Sequence, residues 1–298
     1  MTGIGDDAAV LNVPAGRQLV TTVDTLIAGV HFPAGTAPYD IGYKSLAVNL
    51  SDLASMGAEP AWITLAITLP ENNAEWLEAF SKGLFEMANR FGVALIGGDT
   101  TRGDLSITIQ ATGFVDTGKA ILRSGAQPDD LLYVTGTLGD AWLGLQVVLQ
   151  NIDLADTDRD FVLSRLNRPM PRISTGLALS GLATSMIDIS DGLLADLGHI
   201  LEMSHVAAEL ELAHMPLSSA ARQYLQHGGD LIRLLSGGDD YELCFTLPAT
   251  QQQAVQALAA QCDCQMTCIG KITPGQGIVA IEQDARQPLD ANGYQHFE

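Results

Sequence analysis

Residues 39–69, YDIGYKSLAVNLSDLASMGAEPAWITLAITL, decide the fold because the spacing of their apolar residues changes partway along. Leucines recur at helical spacing from Tyr39 to Met56, and Gly57 follows as a helix stop, so a helix is predicted there. Residues 61–69 then alternate between two faces, which predicts a strand. A long helix followed directly by a strand indicates a layered α/β arrangement.

The same two patterns recur outward along the chain. Strands are predicted at 18–26 and 105–115, and a second helix at 73–91. In the second half, helices are predicted at 138–150, 193–204 and 250–261, and short strands near residues 131, 186, 209, 241 and 278. A length of 298 residues exceeds one ordinary core. The prediction is an α+β chain of two α/β-layered domains, 1–125 and 126–298.

The composition narrows the possible partners. Fifteen Lys and Arg against 35 Asp and Glu give a net charge of -20. Nucleic acid and anionic membrane surfaces are therefore not expected, because both need clustered cations. The sequence contains no apolar run of membrane-spanning length, and its start resembles no secretory signal. The predicted location is the cytoplasm.

Three of the four cysteines, Cys262, Cys264 and Cys268, form a C-x-C-x3-C cluster. Zinc binding is the alternative interpretation, but structural zinc needs about four ligands and no neighbouring histidine completes the set. Reduced thiols near the start of a strand are the preferred prediction, as in a reducing compartment.

Aspartates next to glycines or in short polar segments occur at six places. The segments are Gly5-Asp6-Asp7, Thr21-Thr-Val-Asp24-Thr, Asn49-Leu-Ser-Asp52, Gly97-Gly-Asp99-Thr-Thr, Asp188-Ile-Ser-Asp191-Gly and Ser236-Gly-Gly-Asp239-Asp240. Glycine lets the backbone approach a ligand closely, and carboxylate oxygens are ligands that Mg²⁺ prefers. One such segment alone is typical of a turn. Six of them, with Asp52 at the edge of the helix's buried stripe, indicate a metal site.

The charge balance indicates what the metals bind. A nucleoside triphosphate is anionic, as these segments are, and each pair of like charges at about 4 Å costs about 1 kcal/mol in water. Cations that bridge carboxylates to phosphates remove this repulsion in phosphoryl transfer. Among the few cationic side chains, Arg123 is the best candidate for a phosphate contact, with a solvated loop arginine as the alternative.

Seven segments, in this order, carry a family resemblance. They are GIGDDA (3–8), DTLIAGVHF (24–32), AVNLSDLA (47–54), LIGGDTTRG (95–103), RSGA (123–126), IDISDGL (187–193) and SGGDDYEL (236–243). The chain closely resembles the thiamine-monophosphate kinase family, in the aminoimidazole-ribonucleotide-synthetase-like superfamily. The resemblance implies that fold and a homodimer joined through the N-terminal sheets. It also implies direct transfer of the ATP γ-phosphoryl group to thiamine monophosphate, with several Mg²⁺ ions and no covalent enzyme intermediate.

The resemblance also implies a role for individual residues. The metal ligands would be Asp7, Thr22, Val23, Asp24, Asp52, Asp99, Asp188 and Asp191. Asp52, Asp99 and Asp24 would be catalytic, with Asp52 as the central bridging ligand. Gly98, Asp99, Arg123 and Ser190 would contact ATP, and His31, Asp239 and Tyr294 would contact the thiamine part.

Two positions depart from the family pattern, and two functional alternatives stay open. Asp239 stands where relatives commonly have Glu, and Val23 where they often have Thr. Without the motifs, His31 and Tyr294 would be interpreted as packing residues. The alternatives are another ATP-dependent synthetase of the superfamily, or a noncatalytic nucleotide-binding relative. Loss of several aspartates would favour the latter, and none is lost.

Overall fold

The computed structural model describes residues 3, 5, 7–283, 285–294 and 296. The first half of the described chain is built on a four-stranded sheet in the order β1–β4–β2–β3. Strands β2 and β3 are parallel, and the other neighbours are antiparallel. The elements are β1 (Arg17–Ile27), α1 (Pro38–Ser55), β2 (Glu59–Leu69), α2 (Ala74–Phe91), β3 (Ala94–Arg102) and β4 (Ser106–Asp116).

The ends of α1 and α2 follow from local sequence. Pro38 fits the first turn of α1 because its fixed φ suits a helix and its missing N–H is not needed there. Asn73 caps α2 by accepting a hydrogen bond from the backbone of Trp76, and Gly92 ends α2 in the left-handed conformation. The two helices cross where a Cβ on Gly42 would overlap the carbonyl of Phe80, so the close crossing requires a glycine.

The second half is built on a seven-stranded sheet in the order β11–β10–β7–β9–β5–β8–β6, counted over the described residues. Its strands are β5 (Asp130–Thr135), β6 (Ser185–Asp188), β7 (Ala207–Glu211), β8 (Leu243–Pro248), β9 (Met266–Thr273), β10 (Gly277–Glu282) and β11 (Ala285–Leu289). Its helices are α3 (Asp140–Val148), α4 (Asp156–Asn167), α5 (Ile173–Ala178), α6 (Leu193–Ser204), α7 (Ser219–Gln226), α8 (Leu231–Leu235) and α9 (Gln252–Gln261). None of the helices in the described chain combines the length and apolar character that crossing a bilayer needs.

Helix α1 joins the two halves. One side of it packs on β1 and β4, and the other contacts β6 and α5. Leu46, Leu50 and Leu53 are completely buried, and a Cβ on Gly176 of α5 would overlap the carbonyl of Ala54. One buried cluster contains side chains from both sheets. This shared cluster makes the cores of the two halves continuous, so packing does not mark a boundary between them. The domain boundary near residue 125 therefore stays a prediction.

Candidate active site

A cleft of about 740 Å³ lies where α1, β1, the loop after β6 and the loop before β8 meet. Helix α1 contributes Lys44, Val48 and Asp52, which lie one helical turn apart on one stripe. Most of the predicted site residues line this cleft, namely Val23, Asp24, His31, Asp52, Asp188, Ser190, Asp191, Asp239 and Tyr294. The cleft has an acidic end around Asp52 and an aromatic end around His31.

The acidic end combines carboxylates from three elements. Thr22 and Asp24 share the inward-facing side of β1, and the Thr22 hydroxyl donates a hydrogen bond to Asp52. Asp188 is the last residue of β6 and is 3% exposed. It accepts a hydrogen bond from the Ser51 hydroxyl at 2.7 Å, and it lies close enough to Asp52 and Asp24 for their charges to raise its pKa. The folded chain therefore brings together side chains that are far apart in sequence.

Burial and mutual repulsion make these carboxylates hard to ionise. Burial and the charge of Asp52 raise the pKa of Asp24 to about 7. Burial also raises the pKa of Asp52, against the Thr22 hydrogen bond and the charge of Arg123. The pKa of Asp188 is well above its ordinary value because of burial and the neighbouring Asp52. In the described residues, none of these three carboxylates forms an ion pair with Lys or Arg.

A second cleft of about 410 Å³, at the edge strand β3, holds other predicted ligands. Asp7, Gly98 and Asp99 line it, so they lie apart from the acidic end of the main cleft. The β2–β3 pairing shifts register between Ile63 and Thr64, which sets how β3 presents this segment. A Cβ on Gly98 would overlap the carbonyl of Leu65, so the position requires glycine. Within the residues that the structure describes, no three His, Cys, Asp or Glu side chains form a preassembled metal site.

The remaining predicted nucleotide contacts lie at the turn from β6 into α6 and on the loop before β5. The backbone amides of Ser190 and Asp191 both donate to the buried carboxylate of Asp196, at 2.9 and 3.0 Å. Ser190 also lines the main cleft. Arg123 is exposed and lines neither cleft, yet its charge opposes the rise in the pKa of Asp52. Asp196 was not predicted, because its role depends on the fold of this turn.

The aromatic end contains His31, Tyr294 and His296. His31 Nδ1 accepts the backbone hydrogen bond of Ile27 at 3.0 Å, which places the ring proton of the neutral form on Nε2. Burial and the nearby His296 lower the pKa of His31. The His296 ring lies 5.1 Å from His31 and 4.9 Å from Tyr294, edge-on to the latter. The backbone N–H of Tyr294 donates to the carbonyl of Asp191 at 3.1 Å, which fixes this segment beside the cleft.

Asp239 is bound on both carboxylate oxygens by residues that the sequence analysis missed. Lys44 forms an ion pair with Oδ2 at 3.0 Å, and the Tyr241 hydroxyl donates to Oδ1 at 3.1 Å. Lys44 could have been predicted from its helical spacing relative to Asp52, which places both residues on one stripe. A lysine on a stripe that faces a cleft needs a partner. His296 could have been predicted because it is itself an aromatic residue, two positions after the predicted contact Tyr294.

A buried ion-pair network anchors the loop that carries Asp239. Glu242 is completely buried, and it pairs with Arg165 at 2.7 Å and with Arg172. Burial alone would raise the pKa of Glu242, but the two guanidinium groups outweigh it and hold that pKa below its ordinary value. Asp240 accepts backbone hydrogen bonds at the start of α3, from Gly139 at 2.7 Å and from residue 141. These contacts fix the segment that follows Asp239.

This fold and the two clefts define a class of protein. The described sequence matches the AIR synthase related protein N-terminal domain over residues 5–115 and the C-terminal domain over residues 127–282. The chain therefore belongs to the AIR synthase related family. Within it, the chain is a member of the thiamine-monophosphate kinase family, which confirms the resemblance and the fold class predicted from the sequence.

Individual relatives support this assignment. The chain is 48% identical to thiamine-monophosphate kinase of Escherichia coli K12 over 297 residues, 99% of this chain and 91% of that protein. The crystal structure of thiamine-monophosphate kinase from Stenotrophomonas maltophilia superposes with a TM-score of 0.90 and 49% identity, covering 96% of this chain and 92% of that one. AaThiL complexed with AMPPCP and TMP superposes with a TM-score of 0.85 and 30% identity, covering 100% and 93%.

Proposed function

We propose that this chain transfers the γ-phosphoryl group of ATP directly to thiamine monophosphate, giving thiamine diphosphate. The observation that carries the proposal is the cleft itself, in which an acidic end and an aromatic end lie along one helix. The similarity to enzymes named thiamine-monophosphate kinase supports it. So does the similarity to AaThiL, which was solved with AMPPCP and TMP.

We propose Mg²⁺ as the ion that acts here, and the residues fit it. The buried carboxylates of Asp24, Asp52 and Asp188 repel one another, and their donor atoms are all oxygens, which hard cations prefer. When bound, Mg²⁺ neutralises phosphate charge during transfer. The residues that would hold the ions are Asp7, Thr22, Val23, Asp24, Asp52, Asp99, Asp188 and Asp191. Val23 could contribute only its backbone oxygen, since its side chain is apolar and 61% exposed.

The chain's own residues provide a separate place for each of the two substrates. The second cleft, with Gly98 and Asp99, accommodates nucleotide phosphates close to the backbone of β3. Ser190 in the main cleft and the exposed Arg123 are the further nucleotide contacts that we propose. At the aromatic end, Tyr294 offers a ring for stacking and Asp239 an acceptor for an amino group. No residue needs to act as a nucleophile, because the acceptor phosphate supplies the attacking oxygen. The protein's role is to position the two phosphates and to exclude water.

We also propose that the chain forms a homodimer through its first sheet and works in the cytoplasm. Helix α1 covers one face of this sheet. On the other face, Leu19, Val23 and Ile27 of β1 are 51%, 61% and 42% exposed. On this face the three apolar side chains alternate with Thr21 and Thr25, and no helix of the described chain packs over them. Exposed apolar side chains on such a sheet face favour association with a second copy. The four cysteines, which are all free thiols, suit a reducing compartment.

The deciding experiment mixes the protein with ATP, Mg²⁺ and thiamine monophosphate, and separates the thiamine phosphates by chromatography. Thiamine diphosphate and ADP should form in equal amounts. Consumption of ATP with a different acceptor would support another synthetase of the superfamily instead. ATP binding with no turnover on any acceptor would support a noncatalytic relative.

A further inference from the structure

Lys44 is a buried lysine at the aromatic end of the cleft. Its side chain is 4% exposed, and its Nζ lies 3.0 Å from the Asp239 carboxylate. The same ammonium donates to the backbone carbonyl of His31 at 3.3 Å. A lysine is almost never so buried unless it is paired. The ion pair therefore explains how Lys44 is accommodated, and it links two groups of the proposed acceptor site.

The position of Lys44 on α1 excludes it from the acidic end. Lys44 and Asp52 are eight residues apart, which corresponds to about 12 Å along the helix axis. Helical side chains lean toward the N-terminus, so the ammonium points further away from Asp52. Among the ion pairs of the described residues, Lys44 has Asp239 as its partner. Its charge thus acts on the acceptor end.

Asp239 needs a group that fixes its carboxylate. Its backbone has φ of 72°, the left-handed region, and its amide donates to the Ser190 carbonyl at 2.8 Å. Lys44 holds Oδ2 from the buried side, and Tyr241 holds Oδ1. A carboxylate accepts about four hydrogen bonds, so each oxygen retains a position for a ligand. The Asp239 side chain is 30% exposed, and it also lines the cleft.

We propose that Lys44 is a positioning residue for acceptor recognition. It orients Asp239 toward the nitrogen-containing rings of the acceptor, and the His31 carbonyl helps to hold its ammonium in place. This inference rests on the proposed function, and it makes a separate claim. Lys44 contributes to the KM for thiamine monophosphate through Asp239, and it contributes little to the binding of ATP or to the phosphoryl transfer step.

The test is Lys44→Met, which keeps an unbranched stem and removes the charge. The matched control is Lys82→Met, whose lysine is 65% exposed and pairs only with Glu78 on α2 among the described ion pairs. Lys44→Met should raise the KM for thiamine monophosphate about tenfold, equivalent to about 1.4 kcal/mol. It should change the KM for ATP by less than about twofold. Lys82→Met should change neither the KM for ATP nor the KM for thiamine monophosphate by more than that. Lys44→Arg should recover most of the loss because it retains the charge.

A double-variant cycle checks that Lys44 acts through Asp239. Adding Lys44→Met to Asp239→Asn should raise the acceptor KM no further than Asp239→Asn alone. Multiplied losses, or an unchanged acceptor KM in Lys44→Met, would overturn the inference. If Lys44→Met does not fold, Lys44→Gln takes its place under the same criteria. If the unmodified protein forms no thiamine diphosphate, the proposed function fails and this inference fails with it. An active parent with an unaffected Lys44→Met overturns the inference alone.

Discussion

Replacing Glu242 with Gln should destabilise the protein strongly even though Glu242 does not line the cleft. Its carboxylate is completely buried and pairs with Arg165 and Arg172, and it accepts a hydrogen bond from Thr135 at 2.6 Å. Glutamine has nearly the same shape but no charge. The substitution therefore leaves the largely buried Arg172 without its counter-ion, and it leaves the largely buried Arg165 with only the more distant Asp140, at 4.0 Å.

The size of the effect follows from that lost charge. Removing one partner of a buried ion pair costs about 3–5 kcal/mol, because the other charge stays buried without compensation. A chain of this size loses roughly 2–4 °C of Tm for each kcal/mol. The expected fall in Tm is therefore about 10 °C. The control is Glu59→Gln, which removes a pair with Arg17 whose carboxylate is 60% exposed. That change should cost at most about 1 kcal/mol.

The assay is thermal and urea unfolding of both variants, repeated across pH. The folded-state pKa of Glu242 lies below its ordinary value, so its ionised form stabilises the fold at every pH above that value. The contribution is lost as the pH falls through the lowered pKa. The gap between parent and Glu242→Gln should therefore narrow in acid. A Glu242→Gln loss no greater than that of Glu59→Gln at neutral pH would refute the reasoning.

Three further predictions concern the site. Asp52→Asn should lower kcat about 10²–10³-fold, as loss of a preorganised charge does. Without divalent cations it should raise Tm, because it neutralises one of three mutually repelling buried carboxylates. The control is the exposed Asp116→Asn, and near-normal turnover of Asp52→Asn would contradict the prediction. EDTA should abolish ATP binding in calorimetry, and tight metal-free binding would argue against bridging cations. Tyr294→Ala should raise the acceptor KM about two- to tenfold, from a ring contact of about 0.5–1.5 kcal/mol, while equal effects on both substrates would argue against stacking.

The sequence predicts the elements whose pattern is local. Helix α2 was predictable because Asn73 and Gly92 mark its ends, and β2 because its side chains alternate. Strand β3 was missed because its glycines carry no side chains that could alternate, although Gly98 is required where the chains pass closely. Helix α4 was missed because only Val162 and Leu166 are buried, which leaves no apolar stripe to detect.

The sequence predicts the site's members better than their arrangement. The aspartates next to glycines were identifiable, because those residue types indicate phosphate and metal chemistry. Sheet register then places Asp99 in one cleft and Asp24 in another. The residues of either segment alone do not predict which cleft its aspartate will line. The partner of Lys44 was equally hidden, since it lies on a loop in the other half of the chain.

The position of α1 explains why the two ends of the cleft can cooperate. Asp52 and Lys44 belong to one helix, so their separation of about 12 Å along the axis is fixed by helical geometry. The helix itself cannot slide, because the first sheet packs on one side and Gly176 of α5 meets its backbone on the other. A buried helix that carries a lysine and an aspartate into a cleft gives up some stability, since apolar residues would pack there at lower cost. The gain is a fixed distance between the groups proposed to recognise the acceptor ring and those proposed to hold the phosphates.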